Sequence, residues 1–392
     1  MTSLLKEILR PKAGLRMTSI SILVFIACLC VGFEIARHRP LWNDENYSQI
    51  ASIHCLSYAD QFSGRIPEGG NSPLFYSLQK LLSQLNQSQI PAQILLRINP
   101  VIFMSLSVGL VFYYFYRRYS LGAGLLSLFI YLSSHMLWVF WAEARPYALL
   151  VFLTTVQSVI LLNRIDPNLR VDERREGVLL AGTNILLSLT SILSLGEILA
   201  VSVLWWAFKD RDWKKYIFMT LLPMAIILFY YAHAPKYPFY FGSSRPGDLF
   251  HDNISKQCFY VFYFFLLILS VHFLFIKTKM TRFLPSTDIL KPVPYVLFMV
   301  LVLASSAFLL CFFALHAKPG QGFPVTSRYL IYLTPIGVIA TTILTVSFYK
   351  SWPRHHPVRG VVLGIVGILL AQHFLKTMHY DMLPIVKGWS HA

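Results

Sequence analysis

The fold and the function of this chain depend on one short stretch, LWNDENYS, at residues 41–48. It places two adjacent carboxylates, Asp44 and Glu45, between aromatic residues, directly after the first long apolar run. Acidic residues are scarce in this sequence, since Asp and Glu together make up only 18 of 392 residues. Most of the other acids lie in loops rich in Lys and Arg, which is typical of solvated surface. The pair is therefore the first candidate for a functional site.

The composition indicates a polytopic membrane protein. Apolar residues make up 56 % of the chain and charged residues 13 %, against about 45–50 % and about 25 % in soluble domains. Apolar runs of about 16–25 residues recur along the chain, which is the length that a helix needs to cross a bilayer. No polar stretch is long enough for a separate globular domain. The sequence therefore predicts one all-α transmembrane domain over residues 1–392.

The charge pattern and the cysteines exclude several other classes of protein. The net charge is +16, but the basic residues separate apolar runs instead of forming one face, which is typical of membrane topology and not of nucleic-acid binding. The five cysteines give no disulfide framework, and neither cysteines nor histidines show metal-ligand spacing. There is no glycine-rich nucleotide loop. We expect neither a metal nor a cofactor, and the first apolar run should remain as a helix because it lacks a small-residue cleavage site.

The positions of the basic residues predict how the helices cross the membrane. About eleven transmembrane helices are expected, with the N-terminus in the cytoplasm and the C-terminus outside. The predicted helices cover approximately residues 18–36, 93–116, 120–140, 146–163, two short helices within 178–208, then 216–232, 257–276, 293–315, 329–349 and 360–375. The short cytoplasmic loops of this topology contain most of the Lys and Arg residues, as the positive-inside rule requires.

Two longer segments are predicted outside the membrane. The first outer loop covers residues 37–92, and within it SPLFYSLQKLLSQL, residues 72–85, is amphipathic and too short to cross about 30 Å, so we predict a helix that lies in the interface. The second outer loop covers residues 233–256. The alternative, in which residues 72–85 span the membrane, would place Arg117 and Arg118 outside and is disfavoured.

The Asp44–Glu45 pair allows two interpretations. The carboxylates lie at an apolar boundary and repel each other unless a cation or hydrogen-bond donors compensate. A carboxylate in this setting can take a proton from the hydroxyl, phosphate or amine of an acceptor molecule. Alternatively, the pair caps a helix that begins near Tyr47, since Asp and Asn are common helix caps. The residues alone leave both interpretations open.

A second candidate group lies in WAEARPYAL, residues 141–149. Glu143 and Arg145 lie at the top of the third predicted span, and Pro146 suits the first turn of the next helix. The two charges can form a structural ion pair that closes a tight turn between helices. Alternatively, Glu143 orients a substrate while Arg145, with Tyr147 two residues on, binds a phosphate or holds an acid in place.

A third candidate group lies in TSRYLIYLTP, residues 326–335, where Arg328 and Tyr329 begin a late helix. Arg at a helix end can bind the phosphate of a lipid carrier through paired hydrogen bonds, although a lone Arg more often extends its head group to the interface. The second outer loop adds Lys236 and Arg245, together with aromatic residues. These can recognise a phosphate and a sugar ring, or they belong to the interfacial aromatic belt.

Four stretches, in this order, resemble the GT-C membrane glycosyltransferases of family 39, the group of the protein mannosyltransferases and aminoarabinose transferases. LWNDENYS is similar to the Asp-Glu pair that follows the first helix in that family, and NSPLFYSL to its Pro-Leu-aromatic segment. EARPYAL is similar to its Glu-Ala-Arg-x-Tyr-Ala-Leu signature, and SRYLIYLTP to its late Arg-Tyr-Leu segment. Together the motifs connect nearly the first 150 residues with the helix predicted at 329–349.

This resemblance implies a GT-C-like fold and a reaction. A sugar would pass from a polyprenyl-phosphate carrier to a protein or lipid acceptor at the extracytoplasmic face, with inversion at the anomeric carbon. Asp44 would be the general base, beside Glu45, and Glu143 would help to orient donor or acceptor. Arg328 and a basic residue of the outer loops would bind the carrier phosphate. Because the carrier phosphate leaves as a stable anion, the implied reaction needs no nucleotide. The family usually needs no catalytic metal either.

The chain also departs from the family pattern, and two other functions stay open. We expect no soluble outer domain after the last helix, and Ser72 stands where the family commonly has the first proline of a Pro-Pro pair. The first alternative is a catalytically inactive subunit that keeps the fold as a scaffold in a membrane complex. The second is a transporter of a lipid-linked sugar. Charges at one face and the lack of repeated halves disfavour the transporter.

Overall fold

The computed structural model describes residues 2–68, 72–86, 90–165, 173–207, 217–233, 293–316 and 330–351, with scattered positions between 360 and 376. Every element within these ranges is helical. The α-helices are α1 Thr2–His38, α2 Asn43–Tyr47, α3 Tyr58–Phe62, α4 Pro73–Leu85, α5 Ala92–Arg118, α6 Leu121–Leu132, α7 His135–Phe140, α8 Tyr147–Ile165, α9 Glu173–Ser188, α10 Leu195–Ala207, α11 Leu222–His233, α12 Val293–His316 and α13 Leu333–Ser351. Two π-helical turns, Ser48–His54 and Ile217–Leu221, and a 3₁₀ turn, Ile192–Ser194, complete the set.

The long helices form an integral membrane bundle. Four helices of the described part are long and apolar enough to cross a bilayer, with spans at Met17–His38, Ala92–Arg118, Tyr147–Arg164 and Leu333–Lys350. Four shorter apolar helices are Leu121–Leu132, Ile192–Ala207, Ile217–His233 and Pro294–Phe308. The predicted span at 257–276 lies outside the described residues, and 360–375 is described only at scattered positions. The all-α prediction is therefore confirmed, whereas the count of eleven spans is not.

The third predicted span is divided into α6 and α7, because the backbone bends at Ser133 and Ser134. The Ser133 hydroxyl donates to the carbonyl of Phe129 at 2.7 Å, a local hydrogen bond that competes with regular helix. The indole N–H of Trp138 donates to the Leu132 carbonyl at 2.7 Å. The bend is thus stabilised by side-chain hydrogen bonds, and it turns the chain toward residues 141–146.

Helix α5 is the centre of the bundle, and it packs against α1, α6 and α8. The inner face of α8 is polar, and its hydroxyls join the helices around it. Thr155 contacts Ser107 of α5 at 2.5 Å, and Thr154 donates to Glu197 of α10 at 2.8 Å. Hydrogen bonds of this kind help to hold helices together where lipid offers no polar partner. Glu197 is fully buried and was not singled out from the sequence.

The segment between α1 and α5 contains three short helices and a π-helical turn. The amphipathic helix predicted at residues 72–85 is α4, whose first N–H groups are satisfied by another part of the chain. The backbone N–H groups of Ser72 and Leu74 donate to the carbonyls of Thr190 and Leu189, at 3.2 and 2.9 Å. These bonds tie α4 to the turn after α9. The position of α4 relative to a membrane surface stays a prediction.

The contact between α1 and its neighbours depends on Gly32. A Cβ at this position would lie 2.7 Å from Trp141 Nε1 and 2.7 Å from Val101 Cγ1, which is closer than real side chains approach. We expect Gly32→Ala to lower the free energy of unfolding by about 1–3 kcal/mol, because the close-packed neighbours must move. Thermal unfolding of the protein in detergent measures this effect.

A matched control lies in α9, where a Cβ at Gly182 would meet nothing within 4 Å. Gly182→Ala should leave stability unchanged or raise it by up to about 1 kcal/mol, since Ala is the better helix former. Equal stability losses in the two variants would contradict the close packing of α1 at Gly32.

Candidate functional site

The site forms at the end of the bundle where α1 ends and α8 begins, around a buried ion pair. The guanidinium of Arg97, in the second turn of α5, donates to both oxygens of Glu45, through Nε at 3.0 Å and through Nη2. Both side chains are fully buried. Paired, charge-assisted hydrogen bonds of this kind fix the geometry of both partners. The Glu45 carboxylate on α2 is thereby fixed in position.

Arg97 also fixes the end of α1. Its Nη1 donates to the carbonyls of Ala36, at 3.2 Å, and of Arg39, and its Nη2 donates to the carbonyl of Pro40 at 2.9 Å. The last carbonyls of a helix have no partner inside the helix, and a cation near them is favourable. One buried Arg therefore joins α5, the C-terminus of α1 and the Glu45 carboxylate.

Glu45 also connects the first candidate motif with the second. Its Oε1 accepts from the backbone N–H of Ala144 at 2.8 Å, and its Oε2 accepts from the backbone N–H of Trp42 at 3.2 Å. The second bond caps the first turn of α2. The helix begins at Asn43 and contains both acids, so the interpretation that the pair precedes and caps a helix beginning near Tyr47 is wrong. The first bond brings LWNDENYS against WAEARPYAL, which are about a hundred residues apart in the chain.

Asp44 points to a different partner. Its Oδ2 accepts from Arg145 Nη1 at 2.6 Å, and the Asp44 side chain is 39 % exposed. Arg145 is mostly buried, and its Nη2 donates to Glu68 Oε2 at 3.0 Å. Two carboxylates from different segments therefore bind the same guanidinium. Of the acids gathered here, Asp44 is the one whose side chain solvent or a substrate can reach.

Glu143 is fully buried. Its carbonyl accepts from the backbone N–H of Arg145 at 2.7 Å, which closes the turn before α8, and its carboxylate interacts electrostatically with Arg39 and Arg145. Burial lowers the pKa of the Arg39 guanidinium, and the charges of Glu143 and Glu45 oppose that effect. Arg39 Nη1 also donates to the Val139 carbonyl.

Tyr147, the first residue of α8, lies against the Arg145 guanidinium, whose Cζ is 5.6 Å from the ring centroid. Burial lowers the pKa of Arg145, but Tyr147, Glu68, Tyr76 and Glu143 raise it by more, so that the pKa is higher than its ordinary value. Arg145 is therefore permanently charged. Its two terminal nitrogens bind Asp44 and Glu68, which hold it in one orientation.

Three further residues of the site were not recognised in the sequence: Arg39, Glu68 and Arg97. Arg97 had a usable signal, since an Arg inside an apolar run marks a functional or structural pair. Glu68 had none, because it lies in a polar loop where an acid resembles solvated surface. In the described part, four carboxylates and three guanidinium groups are brought together here, and no group of His, Cys, Asp and Glu side chains is arranged to hold a metal ion.

Four predicted site residues lie outside the described residues: Lys236, Arg245, Arg328 and Tyr329. The second outer loop, apart from His233, is likewise outside them. The structure thus brings together Asp44, Glu45, Glu143, Arg145 and Tyr147, and the assignment of the four others stays a prediction.

Comparison with known proteins supports the fold. No protein-family model matches this sequence, and no curated protein sequence matches it. The chain is similar to the crystal structure of ArnT from Cupriavidus metallidurans bound to undecaprenyl phosphate, with a TM-score of 0.50 and 14 % sequence identity over 91 % of this chain. It covers 64 % of the ArnT chain, and therefore spans somewhat under two thirds of its length. The expected GT-C-like fold is confirmed.

Proposed function

We propose that this protein transfers a sugar from a polyprenyl-phosphate carrier to an acceptor. One observation carries the proposal: in a GT-C-like fold, a partly exposed carboxylate, Asp44, is held by Arg145 at the end of the bundle, beside the buried Glu45–Arg97 pair. Such an arrangement supports a base at a fixed position, with its neighbours buried in the protein.

In the proposed reaction Asp44 is the general base. It accepts the proton of the acceptor's hydroxyl or amine, and the freed electron pair forms a bond to the anomeric carbon from the side opposite the phosphate. The bond between the anomeric carbon and the phosphate oxygen breaks, and the carrier leaves as a phosphate anion. The sugar is transferred with inverted configuration. Glu143 is buried, so it is proposed to orient the substrates through Arg145 or Arg39.

The carrier phosphate requires further cations. ArnT was crystallised with undecaprenyl phosphate, and a phosphate headgroup of this kind is the proposed donor end here. The three arginines of the described cluster already bind carboxylates or backbone carbonyls. We therefore propose Lys236, Arg245 and Arg328, with Tyr329, as the phosphate-binding residues, because charge on the leaving group is stabilised by such fixed cations.

Donor turnover tests the proposed function. The full chain in proteoliposomes would be given undecaprenyl phosphates that carry labelled pentoses, hexoses or amino sugars, together with membrane extract as the source of acceptor. Release of undecaprenyl phosphate and of a product with inverted anomeric configuration is expected. If no donor is consumed at any extract concentration, the proposal fails and the result favours the alternative, a scaffold subunit that keeps the fold without the reaction.

The proposed orientation places the site at the extracytoplasmic face, and the chain contains its own reporter. Cys55 is an exposed thiol directly after the π-helical turn Ser48–His54. We expect a membrane-impermeant maleimide to label the protein in intact cells, and Cys55→Ser to abolish that label. Labelling that requires permeabilised cells would place this end of the bundle in the cytoplasm and contradict the orientation.

A further inference from the structure

Glu68 is the acid of this cluster that shares the Arg145 guanidinium with Asp44. Its Oε2 accepts from Arg145 Nη2 at 3.0 Å, and its Oε1 accepts from the Ser52 hydroxyl at 2.8 Å. The Tyr76 hydroxyl also forms a hydrogen bond with it. Glu68 is 7 % exposed. Side chains of the π-helical turn, of α4 and of the α7–α8 turn therefore converge on one loop carboxylate.

Tyr76 is suited to this contact because it stays protonated. Burial raises the pKa of its hydroxyl well above the ordinary value, and the Glu68 carboxylate raises that pKa further. Tyr76 is therefore a permanent donor to Glu68. Together with the Ser52 hydroxyl and the Arg145 guanidinium, it fixes the position of the Glu68 carboxylate.

The consequence for Asp44 follows from the shape of the guanidinium. Arg145 gives one terminal nitrogen, Nη1, to Asp44 and the other, Nη2, to Glu68. A guanidinium that faced Asp44 alone would stabilise the ionised carboxylate more strongly, and a more stable carboxylate is a weaker base. Glu68 opposes this in two ways, by sharing the cation and by adding a nearby negative charge.

We infer that Glu68 is a positioning residue: it sets the basicity of Asp44 by binding one of the two terminal nitrogens of Arg145. The inference rests on the proposed function, in which Asp44 is the base. Three other groups also raise the pKa of Arg145: Tyr76 on α4, Glu143 in the turn before α8, and Tyr147 at its start. Glu45 is the neighbour of Asp44 on α2. All four residues are present in every variant below.

The first experiment needs no catalysis. A water-soluble carbodiimide modifies a protonated carboxyl, and Asp44 is 39 % exposed while Glu45 and Glu68 have side chains 0 % and 5 % exposed. Mass spectrometry of the peptide that contains Asp44 therefore gives its modification as a function of pH. In Glu68→Gln the pH at which half of Asp44 is modified should fall by about one unit relative to the wild type.

A milder variant and a control complete this experiment. Glu68→Asp keeps the charge, but its carboxylate lies one methylene farther from Arg145. The pH midpoint of Asp44 modification should therefore shift less, in the same direction. Asp60→Asn removes a partly exposed acid of the segment between α1 and α5, which binds Arg65 at 2.8 Å, and should give no shift. Equal midpoints in the wild type, Glu68→Asp and Glu68→Gln would overturn the inference, as would an equal shift in Asp60→Asn.

The second experiment measures the effect of Glu68 on Asp44 through the pH dependence of catalysis. The pH profile of kcat/KM for donor turnover should extend to lower pH in Glu68→Gln, with a plateau about tenfold lower because the base is weaker. A lower plateau without displacement of the profile would indicate a merely structural role and contradict the inference. A wild type that consumes no donor would contradict the proposed function alone, since the carbodiimide midpoints still decide whether Glu68 acts on Asp44.

Discussion

Replacing Asp44 by Asn is expected to lower the rate of sugar transfer by about 10²- to 10⁴-fold, the range that a general base contributes. The amide oxygen of Asn can still accept the hydrogen bond that Arg145 donates to Asp44 at 2.6 Å, so the geometry of the cluster should persist. What is lost is the ability to take a proton from the acceptor. The expected loss is therefore in kcat/KM and not in the amount of folded protein.

Donor turnover at matched expression measures this change, and Asp60→Asn is the matched control. Asp60 is an acid of the same segment that caps α3 through Ser57 and binds Arg65, with no contact to Arg145 among those described. It should keep wild-type activity. If Asp44→Asn retains activity within about threefold of the wild type, Asp44 is not the base, whatever the activity of Asp60→Asn.

Replacing Arg97 by Met is expected to lower the free energy of unfolding by about 3–5 kcal/mol, the cost of breaking a buried ion pair from one side. Met fills part of the space but donates no hydrogen bond. Glu45 would then keep its backbone partners, Trp42 and Ala144, but no cation. The carbonyls of Ala36, Arg39 and Pro40 would lose their donor as well.

Thermal unfolding in detergent, together with the yield of monodisperse protein, measures the effect of Arg97→Met. Arg117→Met is the control on the same helix, because Arg117 is exposed and bonds only a nearby hydroxyl, that of Tyr113, among the described contacts. It should change stability little. The double variant Glu45→Gln/Arg97→Met should lose less than the sum of the single losses, because the two residues are coupled. Strict additivity would contradict the ion pair.

The membrane helices could be predicted closely because their signal is local. The span predicted at residues 93–116 is α5, Ala92–Arg118, and the one predicted at 146–163 is α8, Tyr147–Ile165. The two short helices expected within 178–208 are α9 and α10, joined by turns at residues 189–194. The division of the third predicted span into α6 and α7 depends on Ser133 and Trp138 hydrogen bonds, which hydropathy does not detect.

The charged cluster of the candidate site could be predicted in part. The sequence identified Asp44, Glu45, Glu143 and Arg145 as the residues to examine, because charge is rare in an apolar chain and is costly in a membrane. It paired Glu143 with Arg145 as neighbours in the turn. It did not predict that Glu45 is buried with Arg97, or that Arg145 is shared between Asp44 and Glu68.

The sequence by itself determined that this is a helical membrane protein, approximately where its helices lie, and which rare charges belong to the candidate site. Only the tertiary structure decided which acid binds which arginine. The reason is physical: hydropathy and helix periodicity act over a few neighbouring residues, whereas the three ion pairs join residues 52, 77 and 101 positions apart. The packing of α1 on α5 and of α5 on α8 brings these segments together. No local sequence pattern encodes that packing.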